Sequence, residues 1–295
     1  MGKIVCFGEI LWDVFPNGSK KIGGAPLNVA LRLSSFGHTV IMVSAIGNDK
    51  LGEALLKHIE AHGLHTGFIK KTDTYHTGEV SVVLNEKGSA SYTIVHPRAW
   101  DKIVLTNDTI QKLSSADALV YGSLVTRDAV SRNTLLALIE KASFNIFDVN
   151  LRTPHYSEAI LKDLMEKADF IKFNAEELYE IAAYLGSPYN GLEQNLLFVS
   201  EKTNTHQICV TKGEHGAVLL KDAQFYYNSG YNIVVKDTVG AGDSFLGTLV
   251  SQLLEEKNPQ YAIDIACAVG ALVAQSEGAN PKLSAKDILA FMSGK

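Results

Sequence analysis

The chain has 295 residues, 27 Lys+Arg against 32 Asp+Glu and a formal net charge of −5, with 46% hydrophobic and 20% charged residues. That is the balance of a soluble globular protein able to build a large core, and its mildly acidic character argues against nucleic-acid binding, which needs clustered Lys and Arg. Cys6, Cys209 and Cys267 stand far apart with no CxxC pair, so neither a zinc site nor a disulfide framework is indicated. The longest uncharged apolar run, Ile265–Ala274, falls far short of the about 20 residues that cross a bilayer. Glu9 and Asp13 interrupt the apolar start, which does not read as a signal peptide. The expectation is a cytoplasmic protein with no membrane or nucleic-acid partner.

In chain order, Lys3–Phe7 reads as a short strand and Ala25–Phe36 as a helix with Pro26 in its first turn. Thr39–Ile46 is a near-continuous apolar strand, and Leu51–His62 has helical spacing with Gly63 as its stop. Gly78–Val95 breaks the pattern, reading as two alternating strands around the turn Asn85-Glu86-Lys87-Gly88. Further strands are expected at Ala118–Tyr121, Asn145–Val149, Phe170–Phe173, Gln207–Thr211 and Ile233–Val235. Helices are expected at Asp128–Lys141, Ser157–Ala168 and over most of the chain from Ala241 onward. Buried strands alternating with helices imply βαβ units and a mainly parallel sheet, hence one α/β domain with an inserted hairpin.

The segment Asp237-Thr238-Val239-Gly240-Ala241-Gly242-Asp243 stands before a helix. Amides at a helix start lack intrahelical acceptors, so Gly240, Ala241 and Gly242 offer an electropositive cradle for a phosphoryl group. Asp243, in the first turn, is placed to take a proton from an attacking hydroxyl. The bare alternative is a glycine-rich turn whose Asp complements the helix dipole. Gly242 and Gly247 have Walker A spacing, but Thr248 stands where Lys is required, and Phe245 replaces the third glycine of a dinucleotide fingerprint. Upstream, Gly23-Gly24 before a helix allows close approach of a ligand, Asn28 offers a donor and an acceptor, and Asp13 lies near a strand's carboxyl end. His58 and His62 share a helix face without the Glu placement of a HExxH site.

Gly23-Gly24-x-x-x-Asn28 and Asp237-Thr238-x-Gly240-Ala241-Gly242-Asp243 resemble the two signatures of the ribokinase-like (PfkB) carbohydrate kinases. Asp148-Val149-Asn150-Leu151-Arg152, Asn174-Ala175-Glu176-Glu177 and Thr211-Lys212-Gly213-Glu214-His215-Gly216 resemble them too, in order along nearly the whole chain. The resemblance implies a three-layer α/β/α sandwich over residues 1–295, with a β lid drawn mainly from 78–95 and a contribution near 10–22. It implies Asp243 as catalytic base and Gly240, Ala241 and Gly242 as the anion hole. Asp13, Gly23, Gly24, Asn28, Asn150 and Arg152 match sugar contacts. Asn174, Thr211, Gly213, Glu214 and Gly216 match nucleotide contacts, Glu177 a magnesium-associated acid and Asp237 a ligand of a monovalent cation.

His96 stands where related fructokinases often carry Arg, with Arg98 as a substitute sugar contact, and Val149 replaces a usual Pro. The expected ligands are ATP with Mg²⁺, K⁺ in the manner of many members, and a small sugar; a homodimer through the lid is a further expectation. Gly8-Glu9-Ile10-Leu11-Trp12-Asp13 and Asp148-x-Asn150-x-Arg152 look most like fructokinases, giving D-fructose to D-fructose 6-phosphate as the expected reaction. Ribokinase, 2-keto-3-deoxygluconate kinase, nucleoside kinase and a catalytically silent sugar sensor are the alternatives.

Overall fold

The computed structural model describes residues 1–84 and 90–294. The first third of the chain holds β1 (Lys3–Phe7), β2 (Leu11–Val14), β3 (Lys20–Gly23), α1 (Ala25–Ser35), β4 (Thr39–Gly47), α2 (Lys50–Ala61), β5 (Ile69–Thr72), β6 (Gly78–Leu84) and β7 (Ala90–Ile94). Then come α3 (Asn107–Leu113), β8 (Ala118–Gly122), α4 (Ala129–Ile139), β9 (Asn145–Asp148), α5 (Glu158–Glu166), β10 (Phe170–Asn174), α6 (Ala175–Tyr184) and α7 (Leu192–Thr203). The last third holds β11 (Gln207–Thr211), β12 (Ala217–Lys221), β13 (Gln224–Asn228), α8 (Ala241–Leu254), α9 (Pro259–Ala274) and α10 (Ala285–Met292).

Alternation along β1 shows why the strands read as continuous apolar runs. Val5 and Phe7 pack on one face with Leu135 of α4, Leu164 of α5 and Leu178 of α6. Ile4 and Cys6 pack on the other with Leu27 of α1 and Leu249 of α8. A strand covered by helices on both faces has no polar side to show, and each such fully buried side chain contributes about 1.5–3 kcal/mol. The result is a three-layer α/β/α sandwich around a nine-stranded sheet ordered β13-β12-β11-β10-β9-β8-β1-β4-β5. From β5 to β11 the pairing is parallel; the β11–β12 and β12–β13 pairings, at the edge, are antiparallel. Helix starts follow local chemistry, with Asp49, Thr106, Ser157 and Ser284 each accepting an amide of the first turn.

A second sheet, ordered β3-β2-β6-β7, stands beside this body. Gly78–Val95 supplies β6 and β7, paired antiparallel, and the turn Asn85–Gly88 lies outside the described residues. The segment near 10–22 contributes β2 and β3, which were not expected as strands; Asp13 is on β2, opposite Lys21. Ile233–Val235, expected as a strand, is irregular. After β13 the chain leaves the sheet edge, the amides of Lys236 and Asp237 bond the Ala274 carbonyl, and Val234 stays 85% exposed, with no ladder to join.

Candidate active site

The predicted residues gather at the carboxyl ends of the parallel strands, where open α/β sheets leave a crevice. Gly240 caps α8 at φ 75°, a conformation that favours glycine, and a Cβ there would stand 2.3 Å from the Ala279 side chain. The Ala241 amide closes a turn onto the Thr238 carbonyl at 3.2 Å. Gly242 and Asp243 therefore open the helix with amides that have no partner one turn back. Asp243 Oδ2 accepts from Asn28 Nδ2 at 2.7 Å, and Asn28 Oδ1 accepts from Asn280 Nδ2 at 2.8 Å. Gly24, at φ 112°, lets α1 begin close enough for this contact: a Cβ there would lie 2.4 Å from the Glu9 carbonyl oxygen. One turn beyond Asn28, buried Arg32 donates to Ser244 Oγ and to the Pro281 carbonyl, both at 3.2 Å, which ties α1, α8 and the 279–281 segment into one unit.

Three acids meet here with their carboxyl groups pushed above the ordinary range. Burial, then the Asp148 charge, lift Asp243 to about 6, while the Asn28 hydrogen bond, Lys172 and Arg152 pull the other way. Burial lifts Asp13 to about 6 and Glu9 to about 7, and Arg152 opposes both. Glu9 is 3% exposed and its Oε2 has no hydrogen-bond partner. Sequence reasoning missed Lys172, whose Nζ lies 3.0 Å from Asp148 Oδ1 and 3.7 Å from where a Cβ on Gly242 would stand. Burial disfavours its charge, but Asp148 and Glu177 outweigh that and hold it protonated.

Beside the α8 terminus opens a pocket of about 610 Å³. Thr211, Gly213, Glu214 and Gly216 line it from the β11–β12 turn, and Ala241 and Gly242 from α8. Tyr231, Ile233 and Val235 form another wall, opposite Gly270, Ala271 and Ala274 of α9. These last residues carried no motif; only the small side chains on α9 hint at the space. A smaller apolar cavity of about 180 Å³, by Phe144 and Phe170 at the strands' amino ends, brings none of the predicted residues together.

Other predicted residues have defined partners. Asn174 caps α6 and Glu177 returns the bond, accepting from the amides of Asn174 and Leu151 at 2.8 Å each. Glu177 therefore has both oxygens on backbone, whereas buried Asp148 Oδ2 has no hydrogen-bond partner. Among the described residues no three His, Cys, Asp or Glu side chains cluster as a metal site, and Asp148 Oδ2 is the carboxylate oxygen of this pair left open to a divalent ion. Gly23 is within the same crevice, since a Cβ there would meet Asp13 Oδ2 at 2.5 Å. Asn150 lies just after β9, and exposed Arg152 follows it. Arg98 is turned to Glu79 at 3.5 Å, and His96 to Asp128 at 3.1 Å. Asp237 does not present an open carboxylate: Oδ1 accepts from the Val239 amide, and Oδ2 from the Gly278 amide and, at 2.7 Å, from Lys21 Nζ. The His58 and His62 rings lie 4.1 Å apart between centroids, tilted by 32°.

The fructokinase of Escherichia coli is 25% identical over 306 residues, covering 97% of this chain and 98% of that one. A putative sugar kinase of Pyrococcus horikoshii is 30% identical over 275 residues, covering 87% and 84%. A double mutant of the Vibrio cholerae O395 fructokinase, solved with fructose, ADP and a potassium ion, superposes with a TM-score of 0.85 at 24% identity, covering 99% of this chain and 98% of that one, and so shows a shared fold. The family model described as pfkB family carbohydrate kinase matches residues 1–286. The chain is thus a member of the pfkB family of carbohydrate kinases, phosphotransferases that act on a sugar hydroxyl.

Proposed function

We propose that the protein transfers the γ-phosphoryl group of ATP to D-fructose, giving D-fructose 6-phosphate. One observation carries the reading: the Asp243 carboxylate and the free amides of the α8 terminus stand between a nucleotide-sized pocket and the Asp13–Asn28 crevice. ATP lies with its base between Ile233, Val235 and the small residues of α9, and its phosphates toward Gly242. Thr211, Gly213, Glu214, Gly216 and Asn174 border it. The sugar lies against Asp13, Gly23, Gly24 and Asn28, with Asn150 and Arg152 at its rim; Arg98 acts on it through Glu79.

Asp243 takes the proton as the acceptor oxygen bonds to phosphorus and the bond to ADP breaks. Asn28 keeps the carboxylate aimed, and the amides of Gly242 and Asp243 with the Lys172 ammonium hold the phosphoryl oxygens, Gly240 and Ala241 shaping the turn. Positioning and charge stabilisation supply most of the acceleration in such a transfer. Mg²⁺ carried on ATP would be held near Asp148 and Glu177 and would supply charge neutralisation on the phosphates. The second sheet acts as a lid that excludes water as competing acceptor, on a single ribokinase-like domain spanning the chain; its outer face is the surface for a homodimer.

The names of the relatives support fructose over other sugars. An ADP-release assay over fructose, ribose, 2-keto-3-deoxygluconate, tagatose and adenosine tests it; the highest kcat/KM is expected with fructose, and a tenfold preference for another acceptor replaces that substrate. Asp243→Asn is expected to lose about 10³-fold or more in kcat. Near-normal turnover would remove Asp243 as base.

A further inference from the structure

Asp237 creates an electrostatic problem beside the catalytic turn. It stands three residues before Gly240, and its carboxylate is 15% exposed. An unneutralised negative charge there opposes the positive end of α8, where transferred phosphoryl oxygens are to be held. Two backbone amides, of Val239 and Gly278, meet the carboxylate but carry no full charge. The full positive charge comes from Lys21 Nζ, 2.7 Å from Asp237 Oδ2.

Lys21 is not a residue of the same body. It lies on β3 of the second sheet, directly opposite Asp13 of β2, so one rung of that sheet carries both the acid of the sugar crevice and the cation on Asp237. Its neighbour Lys20 stays within the sheet, paired with Glu79 at 3.1 Å, and Lys21 reaches out past the Phe15 ring, 5.4 Å from its centroid.

We propose that Lys21 is the built-in monovalent cation of this enzyme: its ammonium neutralises Asp237 when the second sheet is closed on the body, so that turnover needs no potassium and is coupled to closure. An ammonium and a potassium ion carry the same charge and are similar in size, so either can satisfy this carboxylate. The lysine has the advantage of tethering, which makes its contact intramolecular. The inference rests on the kinase reading for its catalytic consequence, while the cation competition itself does not.

The test compares the full chain in tetramethylammonium chloride and in potassium chloride at matched ionic strength, with ADP present, by melting temperature and by kcat/KM. Wild type is expected to show no potassium-dependent rise in melting temperature and rates within about twofold in the two salts. Lys21→Met is expected to lose about tenfold in kcat/KM without potassium, to recover most of it with potassium, and to gain a potassium-dependent rise in melting temperature. Lys21→Arg, which keeps the charge, is expected to behave as wild type, and Lys21→Gln repeats the neutral case with a polar side chain. A potassium requirement in wild type overturns the proposal, as does a neutral variant that ignores potassium in both readouts. If no sugar is turned over, the kinase reading fails and the melting comparison still decides which cation Asp237 holds.

Discussion

In the proposed transfer Asp243 must be ionised to take a proton, yet burial and Asp148 lift its carboxyl to about 6. The active form is the deprotonated one, so kcat/KM for the sugar is expected to fall as pH drops below about 6, and a pH–rate profile of the free enzyme checks it. Lys172 opposes that lift and faces the same turn. Lys172→Met would leave Asp148 buried without its cation and remove charge from the phosphoryl site. The expected result is a kcat lowered by about 10²–10³-fold and a loss of about 3–5 kcal/mol of stability, read by single-turnover kinetics and denaturant unfolding. At this scale the legible part of the site was whatever is local in sequence. Gly240 to Asp243 act from one turn, so their spacing exposes them. Lys172 and Glu9 sit singly among apolar neighbours, and only the convergence of β10, β9 and the segment after β1 gives them partners.

Among elements, β1, β4 and β8 to β11 were legible because both faces are buried and every residue reports it. β2 and β3 were not: Trp12-Asp13 and Lys20-Lys21 mix charge and bulk in a small sheet with much less cover, and their pairing is set by β6, about sixty residues away. Ile233–Val235 has strand composition but no strand beside it, because Ile233 and Val235 serve as a pocket wall and Val234 stays exposed. That wall faces Gly270 of α9, where an added Cβ would meet only the Ala241 carbonyl at 3.4 Å and Phe245 Cβ at 3.6 Å. Gly270→Leu therefore fills the pocket while improving the helix by a few tenths to about 1 kcal/mol. It is expected to raise KM for ATP about tenfold or more, leave KM for the sugar within about twofold, and keep the melting temperature, which separates nucleotide from sugar binding in initial-rate measurements.

Across the whole molecule the charge of −5 hides a local concentration: Glu9, Asp13 and Asp243 share one crevice, each with a raised carboxyl. A raised folded-state value means that the native protein binds more protons than the unfolded chain between the ordinary carboxylate range and about 7. Stability contributed by these three groups therefore falls as pH rises through that window, and the full cost is present above it. Asp49, Asp128 and Asp237 have lowered values and contribute stability that is lost only on acidification below the ordinary range. His38, His58 and His155 are lowered mainly by burial, so their contribution rises with pH through about 6.5 and masks part of the carboxylate trend in wild type. Comparison with Glu9→Gln/Asp13→Asn/Asp243→Asn cancels the histidines. At pH 8 the triple variant is expected to be more stable than wild type by a few kcal/mol, after discounting the partly exposed Asp13 and Asp243 for solvent screening, or roughly 5–10 °C in melting temperature. The gap is expected to narrow by about half at pH 5, because the native acids of wild type are by then largely protonated. A gap that stays constant between the two pH values would place these carboxyl groups at ordinary values and remove the acid limb expected for Asp243. A gap that narrows by about half would show that the folded chain gives up stability to keep three acids in one crevice, the place proposed for the sugar hydroxyl that loses its proton.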